Sequence, residues 1–126
     1  MIATHKQLDT WQQAMQLVKM VYDITATFPR EEMFGLTSQM RRAAVSVPSN
    51  IAEGAGRRGS KEFAHFLDIA RGSLAELDTQ IEIAIMLGYV SPESPLPAQV
   101  LRGGSLLTGL HKKIKGLDNA RTTSNK

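Results

Sequence analysis

Apolar residues recur every three or four positions along almost the whole chain, and this spacing constrains the fold more than any other feature. One such stripe near the start consists of Leu8, Trp11, Met15, Val18 and Tyr22. This spacing places side chains on one face of an α-helix, whereas a half-buried strand alternates apolar and polar residues. No segment shows that alternation, so the sequence predicts an all-α fold.

Prolines and glycines divide the pattern into four predicted helices. They cover residues 5–28, 35–53 and 60–87, and a last segment from the Ser91–Pro95 region to about Leu117. Four helices with short connections are typical of an antiparallel up-down-up-down bundle. We expect residues 1–117 to form this single domain and the polar residues 118–126 to form a flexible tail.

Three positions leave details of the helices open. Pro48 lies inside the second helix, so that helix either kinks there or breaks at Val47. Gly103-Gly104 weakens the fourth helix, which is either continuous or interrupted at this pair. The glycine-rich residues 54–59 predict a loop, and Ser60 is then the predicted N-cap of the third helix.

Two segments, Ala43–Ala52 and Ile81–Leu87, are apolar around most of the helix. The core of a four-helix bundle covers only one side of each helix, so a second apolar side predicts self-association. The aromatic residues of the stripes are expected in the core rather than in a binding surface. They are Trp11, Phe28, Phe34, Phe63 and Phe66.

The composition excludes several classes of protein. The 126 residues include no cysteine, which excludes disulfides, zinc–thiolate sites and cysteine nucleophiles. The first residues have no apolar signal core, and no stretch approaches the length of a membrane-spanning helix. We therefore expect a cytoplasmic protein that does not associate with membranes.

Charge is distributed unevenly, although the formal net charge is only +3. Residues 41–61 contain five basic residues and one acidic, residues 62–93 one basic and six acidic, and residues 94–126 six basic and one acidic. Two interpretations stay open. Acidic and basic helices neutralise each other across the bundle, or the basic segments form a surface for nucleic acid.

No motif predicts an enzyme. Gly54, Gly56 and Gly59 have the spacing of a dinucleotide fingerprint, but that motif follows a β-strand, and here the preceding residues have helical spacing. His5, His65 and His111 lack metal-ligand spacing, and no nucleophile–base arrangement is present. We expect no catalytic residue, no metal and no cofactor. The loop with Arg57, Arg58 and Lys61 can instead hold a phosphate group.

Two long segments carry a family resemblance. The run Gln39-Met40-Arg41-Arg42-Ala43-Ala44-Val45-Ser46-Val47-Pro48-Ser49-Asn50-Ile51-Ala52-Glu53-Gly54 resembles the signature of the bacterial four helix bundle protein family, also called the 23S rRNA-intervening sequence protein family. The block Glu62-Phe63-x-x-Phe66-Leu67 through Glu76-Leu77 is similar to a second conserved block of that family. The resemblance covers about residues 8–90.

The resemblance implies a fold and an assembly more than an activity. Members are up-down bundles that form ring-like homopentamers, and a related branch, the accessory variability protein of diversity-generating retroelements, binds a reverse transcriptase and nucleic acid. The expected role is thus a non-enzymatic oligomeric scaffold associated with nucleic acid, most of all RNA, or with a nucleic-acid-processing protein. The alternative is a protein-interaction adaptor or structural oligomer without nucleic-acid affinity.

The candidate residues follow from charge and from this resemblance together. The predicted nucleic-acid contacts are Arg41, Arg42, Arg57, Arg58, Lys61, Lys112, Lys113 and Lys115. The predicted structural polar residues, which would form buried pairs that fix helix register, are Asn50, Glu53 and Glu76. Arg42 and the other arginines fit either role.

Overall fold

Four α-helices make up most of the chain. The computed structural model describes residues 4–124. The helices are α1 (Asp9–Thr25), α2 (Leu36–Ala55), α3 (Ser60–Met86) and α4 (Leu96–Ser124), with 3₁₀ turns at Thr4–Gln7 and Arg30–Glu32. No described residue lies in a strand, so the predicted all-α class with four helices is confirmed. Within the described range, no helix combines the length and apolar character needed to cross a bilayer.

The helix boundaries differ from the predicted ones at several ends. The second helix includes Gly54 and Ala55, so the α2–α3 loop is only residues 56–59. The predicted N-cap at Ser60 is wrong, because Ser60 is the first residue of α3 and Gly59 precedes it with a φ of +88°. Glycine adopts this left-handed conformation without the steric cost that other residues incur.

The fourth helix is continuous through Gly103-Gly104 and continues past the predicted end at Leu117 to Ser124. Residues 118–124, predicted as part of a flexible tail, therefore belong to a helix. Residues 1–3 of the predicted domain and 125–126 of the predicted tail lie outside the described part of the chain.

Each helix packs against two others, and the order around the core is α1, α2, α3, α4 and back to α1. The predicted stripe of α2 is confirmed, since Met40, Ala44, Val47 and Ile51 are all buried. The largest fully buried side chains come from all four helices: Leu17, Met40, Ile51, Leu67, Leu77, Ile81, Leu96 and Leu107.

The predicted core stripe of α1 is wrong by one position. The buried residues of this helix are Thr10, Ala14, Leu17, Val21 and Thr25, whereas the predicted stripe lies along the flank. Within that stripe Met15 and Tyr22 are exposed, and the other members are half-buried. Thr25 is tolerated in the core because its hydroxyl donates a hydrogen bond to the carbonyl of Val21 at 2.7 Å.

Apolar side chains remain at the surface beyond this flank. Phe34 was predicted in the core, but it lies between the 3₁₀ turn Arg30–Glu32 and α2 and is 96% exposed. In the segments predicted to have a second apolar side, Val45, Ile83, Met86 and Leu87 are exposed. The helices therefore do leave apolar surface uncovered in the single chain, mostly at the end of α3.

Pro48 lies within the continuous helix α2, so the alternative of a break at Val47 is wrong. Proline has no N–H to donate to the carbonyl of Ala44, four residues earlier. Its ring is buried and lines a groove between α1 and α2 together with Trp11 and Met15.

The substitution Pro48→Ala is expected to change the free energy of unfolding by less than about 1 kcal/mol, or to increase it. Alanine restores the missing helical hydrogen bond, which offsets the lost contacts of the ring. Urea unfolding followed by circular dichroism measures the difference. A loss of more than about 3 kcal/mol would show that the proline sets an essential helix geometry instead.

Candidate nucleic-acid interface

Six of the eight predicted nucleic-acid contacts lie on the α2–α3 loop, the first turn of α3 and the second half of α4. Arg57 and Arg58 lie in the α2–α3 loop, and Lys61 lies in the first turn of α3. On α4, His111 Nε2 is 3.0 Å from Asp68 Oδ1 of α3, which places this part of α4 beside the first half of α3. We call the six exposed basic residues of these segments the basic end: Arg57, Arg58, Lys61, Lys112, Lys113 and Lys115.

All six residues of the basic end are exposed, but they differ in their partners. Arg57 donates to a carboxylate oxygen of Glu53 at 2.8 Å, and its guanidinium lies 5.0 Å from the ring centre of Phe66. Among the described residues, none forms an ion pair with the other five members. In the single chain, these five charges are therefore not neutralised by a described side chain, whereas part of the Arg57 charge is.

The remaining two predicted contacts, Arg41 and Arg42, lie elsewhere. Arg41 is half-buried: its Nε donates to the Thr25 hydroxyl at 2.8 Å, and its guanidinium stacks 4.5 Å from the ring centre of Tyr22. These contacts join α2 to α1 and give Arg41 a structural role. Arg42 is exposed and lines a polar cleft of about 320 Å³ between α2 and α3, with Glu76 among the other lining residues.

The three predicted structural polar residues do not form the buried pairs that were expected. Glu53 and Glu76 are exposed in the single chain, and Glu53 pairs with Arg57 one helical turn away rather than across the bundle. Only Asn50 is half-buried, and its amide donates to the carbonyl of Ser46 at 2.8 Å. Charged carboxylates at the surface retain their hydration, so burial is not required for them.

The polar contact that does join α2 to α3 is a pair of serines. The hydroxyls of Ser46 and Ser73 are 2.7 Å apart, and the amide of Asn50 also donates to Ser46 Oγ at 3.0 Å. Sequence reasoning missed this pair, because a serine on a helix gives no signal for a partner on another helix.

The glycine motif has no nucleotide-binding context in this fold. Gly54 is buried within helix α2, where a dinucleotide fingerprint requires the end of a strand. Its role is packing: a Cβ at this position would lie 2.8 Å from Cβ of Phe66 and 2.9 Å from Cδ1 of Phe63. Within the described residues, no cluster of three or more His, Asp or Glu side chains is arranged to hold a metal ion.

The basic end presents several separate positive charges on a loop and two helices. Lysine and arginine side chains of this kind suit contacts to phosphates, but they have no fixed geometry for reading bases. Comparison with known proteins supports a family assignment: the family model described as 23S rRNA-intervening sequence protein matches residues 6–99. No curated protein sequence matches the chain.

Proposed function

The chain belongs to the 23S rRNA-intervening sequence protein family, and on this premise we propose that it is an oligomeric scaffold that binds nucleic acid, most of all RNA, through the basic end. The connection with rRNA in the description of the family favours RNA over duplex DNA. The basic residues themselves do not choose between the two, because lysine and arginine contact the phosphates of both. We propose a binding role rather than catalysis.

The observation that carries this proposal is a set of five exposed cations, from separate segments, that form no ion pair with another described residue. Arg58 and Lys61 come from the start of α3 and its preceding loop, and Lys112, Lys113 and Lys115 come from α4. Glu62 and Asp68 are also exposed on this part of α3, and Glu53 pairs with Arg57, so the attraction for a polyanion comes from the excess of basic over acidic side chains. The 3.0 Å approach of His111 Nε2 to Asp68 Oδ1 supports the proximity of the lysines of α4 to α3, because Lys112 and Lys113 directly follow His111.

We further propose that the helices run antiparallel in an up-down-up-down order and that the chain closes into a ring, with five copies as the expected number. Two contacts between α1 and α4 support the antiparallel order: Thr10 donates to the Leu106 carbonyl, whereas Gln13, three residues later, contacts Gln99. Exposed apolar residues at the end of α3 support self-association. A cytoplasmic location fits a chain without cysteine.

The proposed binding is tested by titrating a structured RNA at about 50 and 200 mM salt. We expect the affinity to fall steeply between these concentrations, because each phosphate contact releases a condensed counterion. The double variant Arg58→Ala/Lys61→Ala should weaken binding and lower the salt dependence by up to about 2 in the slope of log K against log salt. Arg57 is left unchanged because its removal would also release Glu53.

A matched control removes the same charge from another part of the surface. Arg102 is exposed and lies outside both the basic end and the groove between α3 and α4, so Arg102→Ala should leave affinity and slope unchanged, whereas the matched single variant Arg58→Ala should lower both. Equal losses in these two single variants would show that net charge alone drives binding. If the wild-type protein does not bind RNA at the lower salt concentration, the adaptor function replaces this proposal.

A further inference from the structure

Phe34 is the most exposed large apolar side chain in the described part of the chain. It is 96% accessible, and its neighbour Met33 is also exposed. An aromatic side chain that contacts only water contributes nothing to the stability of the single chain. Aromatic anchors of this kind dominate the energy of protein interfaces once a partner pocket covers them.

The segment that carries Phe34 is held in place by Glu32. One oxygen of this carboxylate accepts a hydrogen bond from the Leu36 N–H at 3.2 Å, and the other accepts one from the Tyr89 hydroxyl at 3.1 Å. The hydrogen bond to Glu32, together with burial and the charges of Glu32 and Glu31, raises the pKa of Tyr89 above its ordinary value of 10.0. Glu32 thus joins the connection, two residues before Phe34, to the start of α2 and to Tyr89.

A groove between α3 and α4 offers a surface of matching chemistry. Its volume is about 670 Å³, and its lining includes Leu74, Val100 and the 74% exposed Leu101. Gly104 and Gly109 also line it and leave the α4 backbone open to close approach. The groove is open to solvent, and its volume leaves room for a benzyl side chain.

The charges on the two surfaces are complementary. Exposed Arg30 and Glu31 precede Phe34, and Glu31 forms no ion pair with another described residue. The groove presents Arg71 and Asp78 from α3 and Lys112 from α4, so basic side chains exceed acidic ones by one. The loop, with Arg30, Glu31 and Glu32, has an excess of one acidic side chain, which favours this pairing over an arbitrary apolar contact.

We propose that Phe34 of one copy occupies the α3–α4 groove of a second copy. This inference rests on the self-association in the proposed function and assigns the two surfaces that make the contact. The anchor and the groove are different surfaces of the same chain, so every copy uses both. Contacts of this head-to-tail kind generate a closed ring when the rotation between copies permits closure.

The test uses one variant for each surface. Phe34→Asp and Leu101→Asp are each expected to weaken association at least about 30-fold and to sediment as monomers of 13.8 kDa at micromolar concentration. Both side chains are exposed, so circular dichroism and thermal unfolding should match the wild-type chain. Leu117→Asp is the matched control, because Leu117 is an exposed leucine of α4 that does not line the groove.

Mixing the two variants gives the decisive result. One retains an intact groove and the other an intact Phe34, so the mixture should form a complex of two chains and no larger species. Monomers in the mixture would show that the two surfaces do not contact each other and would overturn the inference. A wild-type chain that sediments as a monomer would overturn it as well.

The RNA titration separates this inference from the proposed binding function. If Phe34→Asp assembles like the wild-type chain and still binds RNA, the assignment of the contact fails and the proposed function stands. If the variants behave as expected but no form of the protein binds RNA, the contact stands and the nucleic-acid function fails.

Discussion

Replacing Gly54 with valine is expected to lower the free energy of unfolding by about 3 kcal/mol or more. Helices α2 and α3 approach closely here, and a Cβ at position 54 would lie 2.8 Å from Cβ of Phe66 and 3.2 Å from the Phe63 carbonyl oxygen. Neither atom is the end of a flexible side chain, so the helices themselves must separate. Urea unfolding of the variant measures the loss.

The same substitution at Gly72 provides a matched control. Gly72 is also within a helix, but a Cβ there would meet no atom within 4 Å. Valine has a higher helix propensity than glycine. Gly72→Val should therefore leave the free energy of unfolding unchanged or raise it by about 0.3 kcal/mol. Equal effects at the two glycines would contradict the close approach of α2 and α3 at Gly54.

Leu77→Ala is expected to destabilise the chain by about 2 to 5 kcal/mol. Leu77 is completely buried in α3, so truncation removes apolar contacts and leaves a cavity that the surrounding helices cannot fully close. Thermal and chemical unfolding should both report the loss, and RNA affinity under folding conditions should stay unchanged, because Leu77 is not part of the basic end.

Leu117→Ala is the control for this truncation. Leu117 lies on α4 and is exposed, so the same change in side chain should cost less than about 0.5 kcal/mol. A loss below about 1 kcal/mol for Leu77→Ala would contradict its position in the centre of the core.

The fold class could be predicted because helical spacing and strand alternation are local patterns. The buried face of α1 could not. Its stripe Thr10, Ala14, Leu17, Val21 and Thr25 is less apolar than the neighbouring stripe with Trp11 and Met15. Burial of Thr25 depends on hydrogen bonds to Val21 and from Arg41, and the second of these comes from another helix. A pattern along one segment contains no information about such a partner.

Gly54 shows a second limit of prediction from sequence. Several glycines in a short segment indicate a loop, yet Gly54 lies within α2. Glycine is required at this position because Phe63 and Phe66 of α3 leave no room for a side chain. The residue is selected by packing between helices rather than by a backbone conformation. Of the glycines that do lie in the loop, Gly59 has a φ of +88°, a conformation that favours glycine.

The candidate site was partly predictable because charged side chains are usually exposed. This general tendency suffices for Arg58 and Lys61, but it gives the wrong environment for Arg41, whose partners Thr25 and Tyr22 lie on another helix. The tendency of aromatic residues to be buried fails for Phe34, because that residue lies in a connection outside the helices. Position in the fold, rather than residue type, decides these two cases.

The close approach at Gly54 also affects the entropy of binding. The α2–α3 loop has only four residues. The end of α2 that precedes it packs directly on the first turns of α3. The backbone that carries Arg58 and Lys61 is therefore ordered before any partner arrives. An anion that binds there restricts side-chain rotamers, which costs about 0.5 to 1.5 kcal/mol for each immobilised side chain, and it does not have to fold a segment of chain.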